Sequence, residues 1–596
     1  MAIDSAKNPS AATYTLSITN VQLADAGGYF VIATDSDSPP GSATSLVAIL
    51  KVDPTFTKIT SGPVVTDRSE GAWEAASWWD YDNDGLLDLF IPQQWGYGTL
   101  VTNAVYRQNP VGTFTRVTNA ITIPRRGVWM AAVADYDNDG DEDLLMDHFS
   151  GADDLFRNDG NGIFTALTAS QAGAPVRDSD DSASVGWADY DRDGWIDIFA
   201  ANSSYGSANP ARNDCLYRNN GDGSFTKMTT NQVGMLVGDQ APSGPFSWAD
   251  YDNDGWPDLW IGSVSSDNPA AVSGRQYVWH NNGDGTFSRA SAGSLNSNIA
   301  TGQGHWGDYD NDGYLDLFLT AWKGTNSLHR NVGGITFSDV SVAAGLAEAT
   351  GAWPAGWGDY DNDGFLDLMV PRYGGTAALY RNNGNGTFTS VDVGSPLRDT
   401  NVVGVAWADY DNDGFLDLLM ACEMQGGRNL LYRNNGNGNA WLKVKLVGTV
   451  SNRSAIGAKV RLQATIGGRT MWQLREITGN SGEDGGAGGL LAHFGLGDAT
   501  KADVVRIEWP SGIVQELSNV GTNQFLTLTE PARLQMTKLG ELSIQCWKGQ
   551  AFDVQVSPDL SAWSTVATVT NTTGALVYTD PDAGTPARQF YRVVGK

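Results

Sequence analysis

Seven times along this chain, four aspartates fall within nine residues, at the first, third, fifth and ninth places of a phrase reading Asp-Tyr-Asp-Asn-Asp-Gly-x-x-Asp or a near copy. The first three sets are Asp80, Asp82, Asp84, Asp88; Asp135, Asp137, Asp139, Asp143; and Asp189, Asp191, Asp193, Asp197. The other four are Asp250, Asp252, Asp254, Asp258; Asp308, Asp310, Asp312, Asp316; Asp359, Asp361, Asp363, Asp367; and Asp409, Asp411, Asp413, Asp417. Alternating carboxylates converge on one point where the backbone turns, and the sixth-place glycine permits the turn. The backbone carbonyls of the seventh-place residues Leu86, Asp141, Trp195, Trp256, Tyr314, Phe365 and Phe415 are expected to add a ligand, with the ninth-place aspartate closing the shell. Calcium takes six to eight hard oxygens at flexible geometry, whereas magnesium demands an octahedron and keeps its water. The twelfth place is never glutamate, so this is not an EF-hand. Asp and Gly also shape plain polar turns, but four carboxylates this crowded repel without a cation, and a turn has no use for the ninth-place Asp. About seven Ca²⁺, one per phrase, are expected.

Other chemistry is sparse. The five histidines share no spacing, and there is no Gly-x-Ser-x-Gly, His-Glu-x-x-His or phosphate-binding Gly/Lys loop. The glycine-rich stretch 482–489 reads as a loop, and His493 as a packed residue. A formal charge of −30 argues against nucleic acid, whose phosphates need clustered Lys and Arg. Cys215, Cys422 and Cys546 form neither a metal spacing nor a disulfide framework, and all three read as buried. No apolar run approaches the ~20 residues of a membrane span. The opening residues lack the charged and apolar regions of a signal peptide, so an exported chain would be a processed or trimmed form.

The elements that position the aspartates are themselves repeated. The phrases start 55, 54, 61, 58, 51 and 50 residues apart, and between them recurs a second phrase such as Leu216-Tyr217-Arg218-Asn219-Asn220-Gly221-Asp222-Gly223-Ser224-Phe225-Thr226. Short apolar runs after each Asp set read as buried strands, and the Asn-Gly and Asp-Gly pairs as hairpin turns. Units of this length hold four short strands, one propeller blade. The units are counted from Phe56, Phe114, Phe164, Phe225, Phe287, Phe337 and Phe388, so the array is expected to begin with a first blade at Phe56. Closing the ring removes exposed sheet edges; an open solenoid is the other arrangement. Tyrosine fills the second place every time, and tryptophan lies two residues before the first Asp in six units, with Val133 in the other. Packing between blades is expected of these rings more than a carbohydrate-stacking row.

The expected class is all-β: a seven-bladed β-propeller with calcium loops over 54–440, a partial immunoglobulin-like module over 1–53, a strand-rich module over 441–530 and a sandwich-like module over 531–596. In the N-terminal module, Asp25-Ala26-Gly27-Gly28-Tyr29 fits a tyrosine corner, and Ala12–Ile18, Gly28–Thr34 and Thr44–Val52 are strand-like. No partner sheet lies within it, so an unfilled edge is expected to pack on another domain or chain.

The repeat units resemble FG-GAP/VCBS repeats. Residues Asn452 to Val460 (Asn-Arg-Ser-Ala-Ile-Gly-Ala-Lys-Val), Arg475-Glu476, His493-Phe494-Gly495-Leu496-Gly497 and Trp509-Pro510-Ser511-Gly512 resemble an ASPIC/UnbV domain. The resemblance implies a secreted or cell-surface, calcium-binding, adhesion-like protein that binds an extracellular protein or glycan. Two other readings stay open. One is a calcium-dependent polysaccharide lyase or lectin. The other is a subunit of an extracellular filament or surface layer, self-associating through its N-terminal module.

Overall fold

In a computed structural model of the chain, each Asp phrase is the turn between the first two strands of a four-stranded antiparallel sheet. The structure describes 27–29, 32–34, 42–44 and 48–50, and then 55–595 apart from 68–75, 94–99, 129, 149–150, 179–181, 203–212, 239–242, 263–275, 297–301, 322–323, 349–353, 373–374, 401, 423–426, 481–489, 539–540, 548, 573–575 and 582–589. The third sheet is typical: Ser182–Ala188, Asp197–Asn202, Cys215–Asn219 and Phe225–Lys227 pair in sequence order. The second strand of each sheet begins at the ninth-place Asp and is buried on both faces, as in Asp88–Ile91 and Asp316–Leu319. That double burial explains why these runs are apolar throughout and do not alternate.

Seven such sheets carry the Asp phrases, and their order corrects one expectation. Five of them use four consecutive strands, and the first joins Ser77–Trp79, Asp88–Ile91, Ala104–Gln108 and Phe114–Val117, passing over Leu100–Val101, which pairs with Arg125–Arg126. Phe56–Lys58 does not open the first sheet. It pairs with Leu430–Asn434 as the outer strand of the seventh, beside Val402–Ala408 and Asp417–Cys422. The sequence unit is thus offset by one strand from the structural one, because a circular array has no natural first strand. The first and last strands of the array share one sheet, and the β-propeller is closed by hydrogen bonds.

Neighbouring sheets meet through the repeated rings. Trp187 stacks on Tyr136 of the preceding loop at 6.3 Å and 12° between planes, and Phe225 wedges against both, 5.8 Å from Tyr136. Trp306 with Tyr251 and Trp357 with Tyr309 repeat the stack at 6.5 Å and 11°. These aromatics are packing between blades. Stacked or tilted ring pairs add to the area they bury.

Of the N-terminal module, Ala12–Ile18 and the Asp25-Ala26 start of the corner lie outside the described residues. Gly27–Tyr29 pairs with Ala48–Leu50, and Ile32–Thr34 with Ser42–Thr44. Residues 440–529 form two sheets. One places Ala440–Val447 between Leu491–Gly497 and Gln524–Thr529; the other runs Arg469–Glu476, Lys459–Ile466, Lys501–Glu508, Val514–Gly521. Beyond them, two three-stranded sheets close on a small core of Leu542, Ile544, Phe552 and Val554. Cys215 and Cys546 are buried; the side chain of Cys422 lies outside the described residues. No helix among the described residues is long and apolar enough to cross a membrane.

Candidate metal centres

The loops are wound by their own first-place aspartates. Asp135 takes the N–H groups of Asp139 and Gly140 at 3.0 and 2.8 Å, and Asp80, Asp250, Asp308, Asp359 and Asp409 repeat this pair of bonds. Asp189 does the same for Gly194. The fourth place is left-handed in all seven loops, from Asn83 at φ 57° to Asn412 at φ 58°, which suits asparagine. Arg192 holds that place in the third loop. The fifth-place carboxylates accept the N–H groups of the seventh-place residues Leu86, Asp141, Trp195, Trp256, Tyr314, Phe365 and Phe415 at 2.9–3.1 Å.

With the loop so wound, the third- and ninth-place carboxylates face inward with unused oxygens. Oδ1 of Asp82, Asp137, Asp191, Asp310 and Asp361 is buried without a hydrogen-bond partner, as is Oδ2 of Asp88, Asp258, Asp316 and Asp367. Ninth-place side chains are wholly withdrawn from solvent, at 0–1% exposure throughout. Oxygens of Asp80, Asp82 and Asp88, of Asp135, Asp137 and Asp143, and of Asp189, Asp191 and Asp197 lie within 4.8 Å of one another. The structure therefore brings together the first, third and ninth places in these three loops, and the first, third and fifth in the fourth, through Asp250, Asp252 and Asp254.

Burial sets the electrostatics. Desolvation first, then the neighbouring carboxylates, hold Asp88 up at about 8 and Asp308 at about 7. The same causes push Asp143, Asp197, Asp316, Asp367 and Asp417 well above the usual carboxylate range, and Asp137 to about 6. Groups kept from ionising by one another, with acceptor oxygens left over, are the donor set a hard cation satisfies.

Two sets of residues escaped the sequence reading. One is the Tyr-Arg-Asn run of the second phrase. Its Asn reaches back to the second-place Tyr carbonyl of the preceding loop: Asn158 to Tyr81 at 2.8 Å, Asn219 to Tyr136 at 2.9 Å and Asn434 to Tyr360 at 2.8 Å. Its Arg bridges the outer oxygens of the third and fifth places, as Arg330 does to Asp310 at 2.6 Å and Asp312 at 2.7 Å. The strict spacing of these residues from each Phe was the available signal.

The other set is the face that residues 440–530 lay on the loops. Lys443 Nζ lies 2.7 Å from Asp409 Oδ2, and Lys459 Nζ 2.7 Å from Asp250 Oδ2, all with side chains at most 6% exposed. Ser454 Oγ accepts the Asp135 N–H, Arg192 Nε donates to the Pro510 carbonyl, and His493 Nε2 meets the Gly414 carbonyl at 3.1 Å. A Cβ on Gly495 would fall 2.1 Å from Asp359 Oδ2, so only glycine lets this strand approach the sixth loop. The motif residues of this module are thus docking residues. Burial holds His493 down at about 3, a neutral packed imidazole.

Fold and loops define a β-propeller of Asp-turn repeats joined to a β-module seated on its loop face. The FG-GAP-like repeat family matches residues 80–146, 189–261, 267–319, 308–370 and 371–420, and the ASPIC and UnbV family matches 448–535. The chain belongs with the FG-GAP-like repeat proteins that carry an ASPIC and UnbV domain. Neither is an enzyme family. Cartilage acidic protein 1 of Homo sapiens is 26% identical over 48% of this chain and 44% of its own length; that of Mus musculus is 27% identical over 48% and 45%. The match thus spans under half the length of these relatives. Among solved structures, YCF48 bound to D1 peptide matches at TM-score 0.39 and 9% identity, covering 65% of this chain and 96% of that one. PorZ, a bacterial surface component of the type-IX secretion system of Porphyromonas gingivalis, matches at TM-score 0.38 and 11% identity, over 80% and 62%.

Proposed function

We propose that the chain is a secreted or cell-surface scaffold whose Asp loops hold calcium, and whose propeller binds an extracellular protein or glycan. The carrying observation is the buried, unpartnered carboxylate oxygen that recurs at the third place, the ninth or both in six of the seven loops. With the seventh-place carbonyl and water, this set reaches the oxygen count calcium takes. Similarity to cartilage acidic protein 1 supports an extracellular setting. The aspartates hold the ion, and the ion holds two strands of each sheet and the loop beneath the second module. Calcium is therefore structural in this reading, and the ligand meets a surface that calcium has made rigid. Metal analysis of chain equilibrated with millimolar calcium tests the first part: fewer than about four ions per chain is incompatible with the repeat of donor sets. A glycan and matrix-protein binding screen, run with calcium and with chelator, tests the second. Loss of the captured ligand on chelation is the expected result.

A further inference from the structure

The seven loops are alike in sequence, but they do not face the same side chain. The third-strand residue just before Gln108, Asn158, Asn219, Asn331, Asn382 or Asn434 is arginine in six sheets (Arg107, Arg157, Arg218, Arg330, Arg381 and Arg433), and the one before Asn281 in the fourth is His280. Five of those arginines fork across the third- and fifth-place carboxylates, as Arg381 does at 2.7 Å to both Asp361 and Asp363. Arg157 turns instead to Asp159 at 2.6 Å. A guanidinium only donates and cannot bind a metal. An imidazole can.

His280 occupies the forking position. Its Nδ1 lies between two carboxylates, 3.2 Å from Asp252 Oδ2 and 3.2 Å from Asp258 Oδ1. Asp258 is 1% exposed, and its Oδ2 is buried without a hydrogen-bond partner. Asp252, Asp258 and His280 each offer an atom within 4.8 Å of the others. Two ligands each about 2.1 Å from one ion, at tetrahedral or octahedral angles, stand roughly 3.0–3.4 Å apart, and the observed nitrogen–oxygen separations fall in that interval.

The first-place carboxylate of the fourth loop is also held from the second module, as that of the seventh is. Asp250 Oδ2 is taken by the Lys459 ammonium at 2.7 Å and by the Gly255 N–H at 2.8 Å. Calcium takes only oxygens and takes many of them, whereas an imidazole with two carboxylates suits zinc and its first-row neighbours.

We infer that the fourth loop is a transition-metal site of the zinc class, in which His280 Nδ1, Asp252 and Asp258 are the protein ligands and water completes the shell. The inference rests on the same loop reading as the calcium proposal and departs from it at this one loop. The test titrates zinc, against a chromogenic zinc chelator, into the full chain held in millimolar calcium. Two variants run beside it. His280→Arg copies the sibling loops and so keeps a side chain the blade is known to accommodate. Arg330→His installs the same triad in the fifth loop.

Wild type is expected to take up one zinc per chain, His280→Arg to lose that uptake by at least about tenfold in affinity, and Arg330→His to gain a second equivalent. Calcium counted in the same samples should not fall in His280→Arg, which also reports that the variant is folded. Zinc uptake equal in wild type and His280→Arg, or no uptake in wild type, overturns the inference. His280-dependent zinc uptake in a chain that holds no calcium would support it and end the calcium reading instead.

Discussion

Lys443 and Asp409 form an ion pair across the seam between the second module and the seventh loop, 2.7 Å apart with side chains 5% and 1% exposed. Lys443 Nζ also donates to Asn412 Oδ1 at 2.9 Å, so the ammonium satisfies the loop's first and fourth places together. Lys443→Met leaves a buried carboxylate with no cation, a change that costs about 3–5 kcal/mol where such pairs are broken. Urea unfolding of the full chain should show that loss. Adding Asp409→Asn to Lys443→Met should recover part of it, because the stranded charge is then gone. If the single variant is as stable as wild type, the pair contributes nothing to the seam.

The Asp phrase was legible because every loop repeats it, and repetition separates a ligand set from an ordinary polar turn. The roles within it were less so. Nothing in one sequence distinguishes Asp135, which winds its loop through two backbone N–H groups, from Asp137, whose Oδ1 is left free. The strand count per sheet was readable from turn residues, but not the partner of Phe56–Lys58, which lies nearly four hundred residues away in the chain. The docking roles of Lys443 and Lys459 were hidden for the same reason: only the fold puts an aspartate opposite each.

A loop-resolved test of the metal reading compares two aspartates of different place. Asp312 holds the fifth place of its loop, caps the Tyr314 N–H and pairs with Arg330. Asp141 holds a seventh place, and its side chain accepts a bond from Asn83 at 2.7 Å in the preceding loop. Asp312→Ala should cost about one bound calcium per chain, since it removes a carboxylate from a shell of few charges. Asp141→Ala should cost none, as only its backbone belongs to the loop. Equal calcium losses in both variants would contradict the assignment of places.

The metal-free chain should lose stability as pH rises, opposite to the usual carboxylate behaviour. Burial holds Asp88 and Asp153 up at about 8 and Asp308 at about 7, so the folded state keeps protons that the unfolded state has released by about pH 5. The stability these carboxyls carry is full below the ordinary carboxylate pKa and is lost as pH climbs through about 7 to 8. Calcium reverses the sign at the loop residues, because binding requires ionised ligands and releases their protons. Melting temperatures measured with chelator should fall between about pH 5 and about pH 8, and those with millimolar calcium should not. Parallel pH profiles with and without calcium would refute the coupling.

Ring closure should depend on Phe56 and not on the residues before it. Phe56 is 6% exposed, with its ring 6.1 Å from Tyr360 and 6.3 Å from Trp407. Its strand hydrogen-bonds along Leu430–Asn434 in the register Phe56 to Asn434, Thr57 to Arg433 and Lys58 to Tyr432. Removing a buried phenylalanine costs about 3–5 kcal/mol, so Phe56→Ala should lower the unfolding midpoint of the propeller clearly. Deleting residues 1–52 leaves this strand whole and should change propeller stability little. Deleting 1–58 strips the seventh sheet to three strands and bares the edge of Leu430–Asn434, which an unpaired edge satisfies by pairing with another chain. Size-exclusion chromatography should then find the 1–58 deletion associating while the 1–52 deletion does not. Closure through Phe56–Lys58 fails as an account if the two truncations unfold and elute alike.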